Sequence, residues 1–491
     1  MKTYIIQEPT RLSESFLWEL QYRAYTEFGP EAWREKGVPF YATSNPLIAQ
    51  QYASMILGYL RDLKKTFDFD HPLYLFDLGA GTGKLAYLIL KELLPNLKML
   101  FSDRVKIRYV MTDVVEKNIH SWKEHPYFQE YMDQSVLDFA YYYHAEREKP
   151  IKLLHSDEVI ENTVNPVVLI CNYFFDTIPQ DLFRIEKNQL QEGKVILSTT
   201  RMSIEDVDIE DPSIISELEI GYLYEPIEAE EYYSSEPDLN QLLKRYQELF
   251  SDATFLFPSE PIRTIRRFAE LSKGRVLLLA GDQGYATEQQ VRRWEEPKIA
   301  FHASFSMEVS YHALSEYFNL QGGIGLTDPL ADPFFVNFLG VLGGEGKYPE
   351  TQYAFHEQIE AFGSGDYSRI PVGEDQTLDS MLLRIKLGRY DPILFYEYFE
   401  KILKSVNSLT KEMEEKLVLT IHKVWDQYFP TCHQEGDFIM NLGVLLFQMR
   451  HFEEAKLFFE RAIEIGGDQP HLQQNLLKCD YMIQQENSSS S

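Results

Sequence analysis

The spacing of apolar residues changes period between Leu73 and Leu94. The run LYLFDL is almost continuously apolar, three glycines follow at positions 79, 81 and 83, and from Lys84 the apolar positions recur at helical spacing through Leu94. That pattern predicts a strand, a tight turn and a helix. Downstream, Val105–Thr112 alternates and is rich in β-branched residues, which predicts a second strand ending at Asp113. Val136–Tyr143 predicts an aromatic-rich third. Pro166–Asn172 (PVVLICN) and Gly274–Gly281 (GRVLLLAG) are short, wholly apolar runs of the kind buried on both faces of a parallel sheet. Strands alternating with helical patterns predict an α/β class, a doubly wound sheet, which residues 299–335 are expected to complete with an antiparallel hairpin. Before the first strand, residues 10–35 and 46–65 carry helical spacing, with an extended segment from Gly37 to Thr43 between them. Ser44-Asn45-Pro46 supplies capping residues and a first-turn proline for the second helix.

This pattern divides the chain into an N-terminal helical lid at 1–70, an α/β domain at 71–339, a linker at 340–375, a helical domain at 376–487 and a disordered tail at 488–491. Within the α/β domain, residues 200–262 are strongly acidic and are expected to be a solvated excursion with two short helices. Residues 436–467 match a tetratricopeptide repeat. Leu442, Gly443 and Leu446 lie on its first helix, and Phe452, Ala455, Phe459 and Ala462 on its second. One such repeat cannot bury its apolar face alone, so the helical segments near 378–389, 391–406, 410–429 and 470–485 are expected to stack with it.

Composition narrows the partners. With 491 residues the chain has room for two or three domains, and its net charge of −29 disfavours a nucleic-acid surface and favours basic protein segments. Three dispersed cysteines, Cys171, Cys432 and Cys479, form no disulfide framework or zinc motif, which fits a reducing, cytoplasmic setting. The N-terminus reads as neither a secretory signal nor a transit peptide, and no uncharged stretch is long enough for a bilayer. The expectation is therefore no membrane and no nucleic acid. The oligomeric state is not legible.

Spacing also narrows the ligand. A dinucleotide site wants G-x-G-x-x-G, but counting from Gly79 the third glycine position is Lys84. A phosphate loop ending at Gly83-Lys84 wants glycine and a hydroxyl where Leu78 and Leu85 stand. What remains, D-x-G-x-G-x-G from Asp77 to Gly83, resembles motif I of class I S-adenosylmethionine methyltransferases, although a ligand-free turn fits the motif too. The resemblance implies a Rossmann-like methyltransferase sheet, S-adenosyl-L-methionine as cofactor, and Asp77, Gly79, Ala80, Gly81, Thr82 and Gly83 around it. Asp113, at the end of the second strand, is placed to accept the ribose hydroxyls or to cap the following helix. Tyr41, Ser44 and Asn45 are candidate lid residues.

The segment NYFFDTIPQDLFRI at 172–185 resembles the N-E-x-F-D-A-x-P stretch of the methyltransferase family that includes the mitochondrial complex I assembly factor and its bacterial MidA-like relatives. The stretch FPSEPIRTIRRFAELSKGRVLLLAGDQGY and the segment VSYHALSEYF are similar to later segments of the same family, in the same order. The resemblance spans residues 40–325. It implies methyl transfer to a protein or peptide, in line with the activated methyl group. Asn172 is expected to serve cofactor and reaction centre with its side-chain or main-chain oxygen near the methyl. Asp176 is expected to orient or deprotonate the acceptor, or simply to fix the turn before Pro179, and Tyr173, Phe174 and Asp176 to face the substrate. Two departures stand out: Tyr173 replaces the family's glutamate, and Asp282-Gln283-Gly284-Tyr285 replaces its D-Y-G-Y. Loss of the glutamate argues against bidentate capture of an arginine acceptor. The alternative is a catalytically weak or inactive scaffold or assembly factor that binds partners through its helices.

Overall fold

In the computed structural model the described residues are 3–29, 44–200, 211–297, 299–301, 304–344, 346–370, 376–431 and 436–489. The chain divides into two compact units, Met1–Ser44 with Ile48–Ser368, and Asn45–Leu47 with Arg369–Ser491.

In the first unit seven segments pair into one mixed sheet: β1 (Leu73–Leu78), β2 (Ile107–Asp113), β3 (Leu137–Tyr141), β4 (Val167–Asn172), β5 (Val276–Asp282), β6 (Ile324–Thr327) and β7 (Val336–Leu342). Their spatial order is β6-β7-β5-β4-β1-β2-β3. The five strands from β5 to β3 are parallel, β7 runs against β5, and β6 runs against β7. Crossovers from β1 go to one side and those after β4 to the other, so a crevice opens beyond the carboxyl ends of β1 and β4. Every residue of β1, β4, β5 and β7 is buried, which is why these strands are apolar without alternation. Register aligns Leu78 with Thr112 and Gly281 with Asn172, bringing the turn after β1 and the ends of β2, β4 and β5 to one edge. Helix α1 (Leu17–Phe28) and helix α2 (Pro46–Asp62) precede this sheet, and α3 (Lys84–Phe101) follows β1.

Several segments depart from the pattern-based expectation. Tyr4–Arg11 is a strand, and the N-terminal helix starts only at Leu17. Register shifts between Ile5 and Gln7 and between Gln7 and Thr10 break the alternation that would have marked the strand. It pairs antiparallel with Gln189–Thr199, in a second sheet of five strands that also holds Asp181–Glu186, Ala253–Phe257 and Glu219–Pro226. The acidic stretch is therefore not a solvated excursion with two short helices: it supplies two of these strands, one buried along its whole length, and the helix Pro237–Leu249. Residues 201–210 lie outside the described residues. The closing hairpin is β6–β7, so the last strand runs through the boundary expected at 339 and into the stretch expected as linker. Ile299–Phe301 instead pairs with Phe305–Met307 in a small ribbon. Beyond β7, the helix Pro349–Phe355 packs on α2 so closely that a Cβ on Gly58 would lie 2.7 Å from the Glu350 carbonyl oxygen.

The second unit is helical: Leu378–Leu387, Pro392–Ser405, Lys411–Asp426, Gly436–Gln448, Phe452–Gly466 and Pro470–Ser489. Thr377, Asp391 and Thr410 cap three of these helices by accepting backbone N–H bonds from Ser380, Ile393 and Met413. A Cβ on Gly443 would meet the Phe459 ring at 2.7 Å, so glycine sets the approach of the fourth and fifth helices. The last helix includes Ser488 and Ser489, the start of the stretch expected as a disordered tail. Among the described residues no helix is long and apolar enough to cross a membrane.

Candidate functional site

The turn after β1 uses all three of its glycines in the left-handed region, with φ of +67° at Gly79, +56° at Gly81 and +79° at Gly83. Its polar groups are largely consumed by the protein. The Ala80 N–H donates to the Thr112 carbonyl at 2.9 Å, the Gly81 N–H to Asp113 Oδ2 at 3.3 Å, and the Gly83 N–H to the Ala80 carbonyl at 2.9 Å. The Lys84 N–H donates to Thr82 Oγ1 at 3.3 Å, and the Gly81 carbonyl accepts from the Trp122 indole at 2.9 Å. This is a turn locked by its own bonds, and its backbone offers little to a phosphate.

Asp113 ends β2 beside it. One carboxylate oxygen accepts from the Val115 N–H at 2.9 Å, and the other accepts from the Asn118 amide at 3.0 Å as well as from Gly81. Burial pushes this carboxyl up to about 6 against the pull of those donors. Asp77 lies behind the turn, where its Oδ2 accepts from the Tyr109 hydroxyl at 2.9 Å and burial pushes it up to about 7.

A cavity of about 360 Å³ opens over the turn, within the roughly 300–1,000 Å³ usual for small-molecule sites. Gly79, Ala80, Gly81, Thr82, Asp113, Asn172, Tyr173, Phe174 and Asp176 all line it. Two of the expected cofactor residues do not. Asp77 is tied to Tyr109 beneath the turn, and Gly83 is needed for packing, since a Cβ there would meet Met111 at 2.9 Å and Phe128 at 3.0 Å. Of the lid candidates, Ser44 lines the cavity, Asn45 does not, and Tyr41 lies outside the described residues. One wall comes from α1 through Trp18, Gln21, Tyr22 and Tyr25. That helix is anchored by the Gln21 amide on the Phe305 carbonyl at 2.7 Å and by Tyr22 stacked on Tyr143, ring centres 4.9 Å apart.

The floor forms where β4 and β5 end. Of the two Asn172 oxygens expected near the reacting methyl, side-chain and main-chain, the side-chain one already accepts from the Tyr52 hydroxyl of α2, so Asn172 reaches the cavity with that atom engaged. A Cβ on Gly281 would meet the Phe335 ring at 2.6 Å and Asn172 Oδ1 at 3.2 Å, so the floor needs glycine there. Tyr173 adopts a left-handed φ of +48°, donates its N–H to the Gly281 carbonyl at 3.0 Å, and sets its ring edge-on to Phe335. Strained backbone of this kind turns the chain sharply into the short turn Phe175–Thr177. Asp176 sits in that turn, 5% exposed, beside the fully buried Asp282 at the end of β5. Asp282 Oδ2 accepts from the Phe175 N–H at 3.2 Å. Burial raises both acids, and the Asp176 charge raises Asp282 further.

The electrostatic character follows. Among the described residues of the lining, Asp113 and Asp176 are the carboxylates and none is a lysine or arginine, and burial together with nearby Arg147 pushes His144 down to about 4, leaving it neutral. The residues present fit a cationic or neutral ligand with hydroxyls for Asp113 to accept. They do not fit a phosphate.

Asp282, Tyr25 and Tyr52 escaped the sequence reading as site residues. Asp282 had a signal: it ends a buried run, as Asp113 and Asn172 do, and parallel strands bring such ends to one edge. The two tyrosines had none, because their helices reach the site only through packing.

Comparison with protein-family models gives no match, and neither does comparison with curated proteins. Among solved structures, the chain is similar to an inferred methyl transferase from Burkholderia thailandensis bound to S-adenosyl-homocysteine. That match has 14% identity and a TM-score of 0.39, covering 62% of this chain and 79% of that one. It is also similar to an uncharacterized protein of the same superfamily and organism, with 13% identity and a TM-score of 0.39, covering 69% of this chain and 94% of that one.

Proposed function

We propose that the chain is an S-adenosylmethionine-dependent methyltransferase that acts on a protein or peptide acceptor. The observation that carries this is the turn itself. Three left-handed glycines bare the backbone, its N–H groups on Ala80, Gly81 and Gly83 are spent on Thr112, Asp113 and Ala80, and the described lining of the adjoining cavity carries two carboxylates and no lysine or arginine. Nucleotides that bind through phosphates need the opposite polarity. A nucleoside carrying a sulfonium and an ammonium, with a ribose diol for Asp113, meets the site's chemistry. The cofactor supplies an activated methyl group. The chain then has to seat the ribose, close α1 over the cavity, exclude water and present the acceptor along the line of transfer.

Isothermal calorimetry tests this. S-adenosylhomocysteine should bind with measurable heat while NAD and ATP do not, and Asp113→Ala should weaken it at least about tenfold, roughly 1.4 kcal/mol. Absence of heat with S-adenosylhomocysteine would remove the proposal.

A second reading, a cofactor-binding scaffold without transfer, draws support from Tyr173, whose ring packs on Phe335 where the resembled family carries a glutamate. The helical unit would then do the work, gripping partner proteins. The two readings part on labelled methyl transfer into lysate proteins. Active transfer predicts a labelled band that disappears with Gly81→Arg, and the scaffold predicts cofactor binding with no band.

A further inference from the structure

At the floor of the cavity two acids meet, Asp176 from the turn after β4 and Asp282 from the end of β5, and no lysine or arginine among the described residues lines the cavity beside them. Asp176 lines the cavity, and Asp282 is fully buried behind it. Each leaves its Oδ1 without a hydrogen-bond partner, although the two side chains lie within hydrogen-bond reach of each other. An ionised carboxylate only accepts, so two ionised acids would leave both oxygens unsatisfied and set two like charges together in a buried site. One proton on the pair cures both faults.

The titratable groups around the pair do not supply an alternative. Among the described residues, Tyr25 from α1, Tyr52 from α2, Cys171 from β4 and Tyr311 from the helix Tyr311–Leu320 are the titratable neighbours that interact with it, and burial raises all four, so they stay neutral.

We propose that Asp176 and Asp282 form a carboxyl pair sharing one proton, in which Asp176 receives the proton released by the methyl acceptor and Asp282 is the positioning residue that keeps it able to do so. The proposal rests on the methyltransferase reading for its role, but the shared proton does not depend on it. In the transfer step the acceptor's lone pair forms the bond to the methyl carbon and the sulfur keeps the electrons of the broken carbon–sulfur bond. The hydrogen on the acceptor leaves as a proton to the singly charged pair, which becomes a neutral diacid and returns the proton to water. The pair suits an acceptor that must lose a proton, an N–H or O–H group, and has no task for one that arrives as a bare lone pair.

Difference infrared spectroscopy of the full-length protein without ligand reads the pair directly. At about pH 9 the wild type should retain a protonated-carboxyl band that vanishes in both Asp176→Asn and Asp282→Asn, because either change leaves a lone acid with a neutral donor beside it. A band that persists in both variants, or is absent from the wild type, overturns the shared proton even if S-adenosylhomocysteine binds normally.

The catalytic role is read from the pH profile of labelled methyl transfer into lysate protein. Asp282→Ala removes the donor that stabilises ionised Asp176, so the acidic limb should move to higher pH. Asp282→Asn, which restores a neutral donor, should bring it back. A uniform drop in rate with the limb unmoved would reduce Asp282 to a packing role and overturn the proposal. Loss of S-adenosylhomocysteine binding in the wild type would instead count against the methyltransferase reading alone.

Discussion

Asp77 and Asp113 lie near the ends of neighbouring strands, and burial raises both, yet their surroundings give them different work. Asp113 faces the cavity and serves a ribose best while ionised, because protonation removes the charge that strengthens its acceptance of the hydroxyls and turns one oxygen into a donor. Its carboxyl sits near 6, so affinity for S-adenosylhomocysteine should fall as pH drops through about 6 and hold steady above it, which calorimetry at several pH values would check. Asp77 faces inward. Its folded-state value near 7 lies above the roughly 3.9 of an unfolded aspartate, so between those values the folded chain holds a proton that the unfolded chain has lost. Stability should therefore fall as pH rises through that window. Asp77→Asn keeps an acceptor for Tyr109 and removes the titration. It should flatten the dependence by about 2–4 kcal/mol in denaturant melts at pH 4 and 8, leaving S-adenosylhomocysteine affinity within about threefold.

At the scale of elements, the glycine turn separates packing from binding. Gly83→Ala would strain a φ of +79° and drive a methyl into Met111 and Phe128, neither of which lines the cavity. It should cost about 1–3 kcal/mol of stability with affinity little changed. Gly79→Ala meets Phe174 at 3.0 Å, and Phe174 does line the cavity, so that variant should lose both stability and affinity. Thermal melts beside calorimetry distinguish the two. The strands of the central sheet were legible because burial on both faces leaves an unbroken apolar run, as in LYLFDL and VVLICN. Tyr4–Arg11 was not, because it is half-buried and bulged, and neither periodicity survives that. Ala253–Phe257 was hidden for another reason: five apolar-rich residues inside an acidic stretch carry little weight in its average composition, although each is buried.

At the scale of the whole molecule, the chain builds two units with different construction rules. The first stacks an α/β sheet and a smaller antiparallel sheet, with long-range pairings such as Tyr4 opposite Thr199. The second is local, helix after helix, and its tightest approach is set by Gly443 against Phe459. Gly443→Leu should force those helices apart and lower the helical melting transition, at a cost of about 1–3 kcal/mol followed by circular dichroism.

The residues alone settle what depends on neighbours in the chain: the central strands, the glycine turn, the helices past residue 376, and nine positions that line the cavity, from Gly79 to Asp176. Spacing and period are local properties, so they survive in one dimension. Only the folded chain decides which strand ends share an edge, that Asp77 and Gly83 turn away from the cavity, that Tyr52 claims the Asn172 oxygen, and that Asp282 comes to lie against Asp176 from more than a hundred residues away. Those outcomes follow from sheet register and helix packing, which bring together residues that no spacing rule connects.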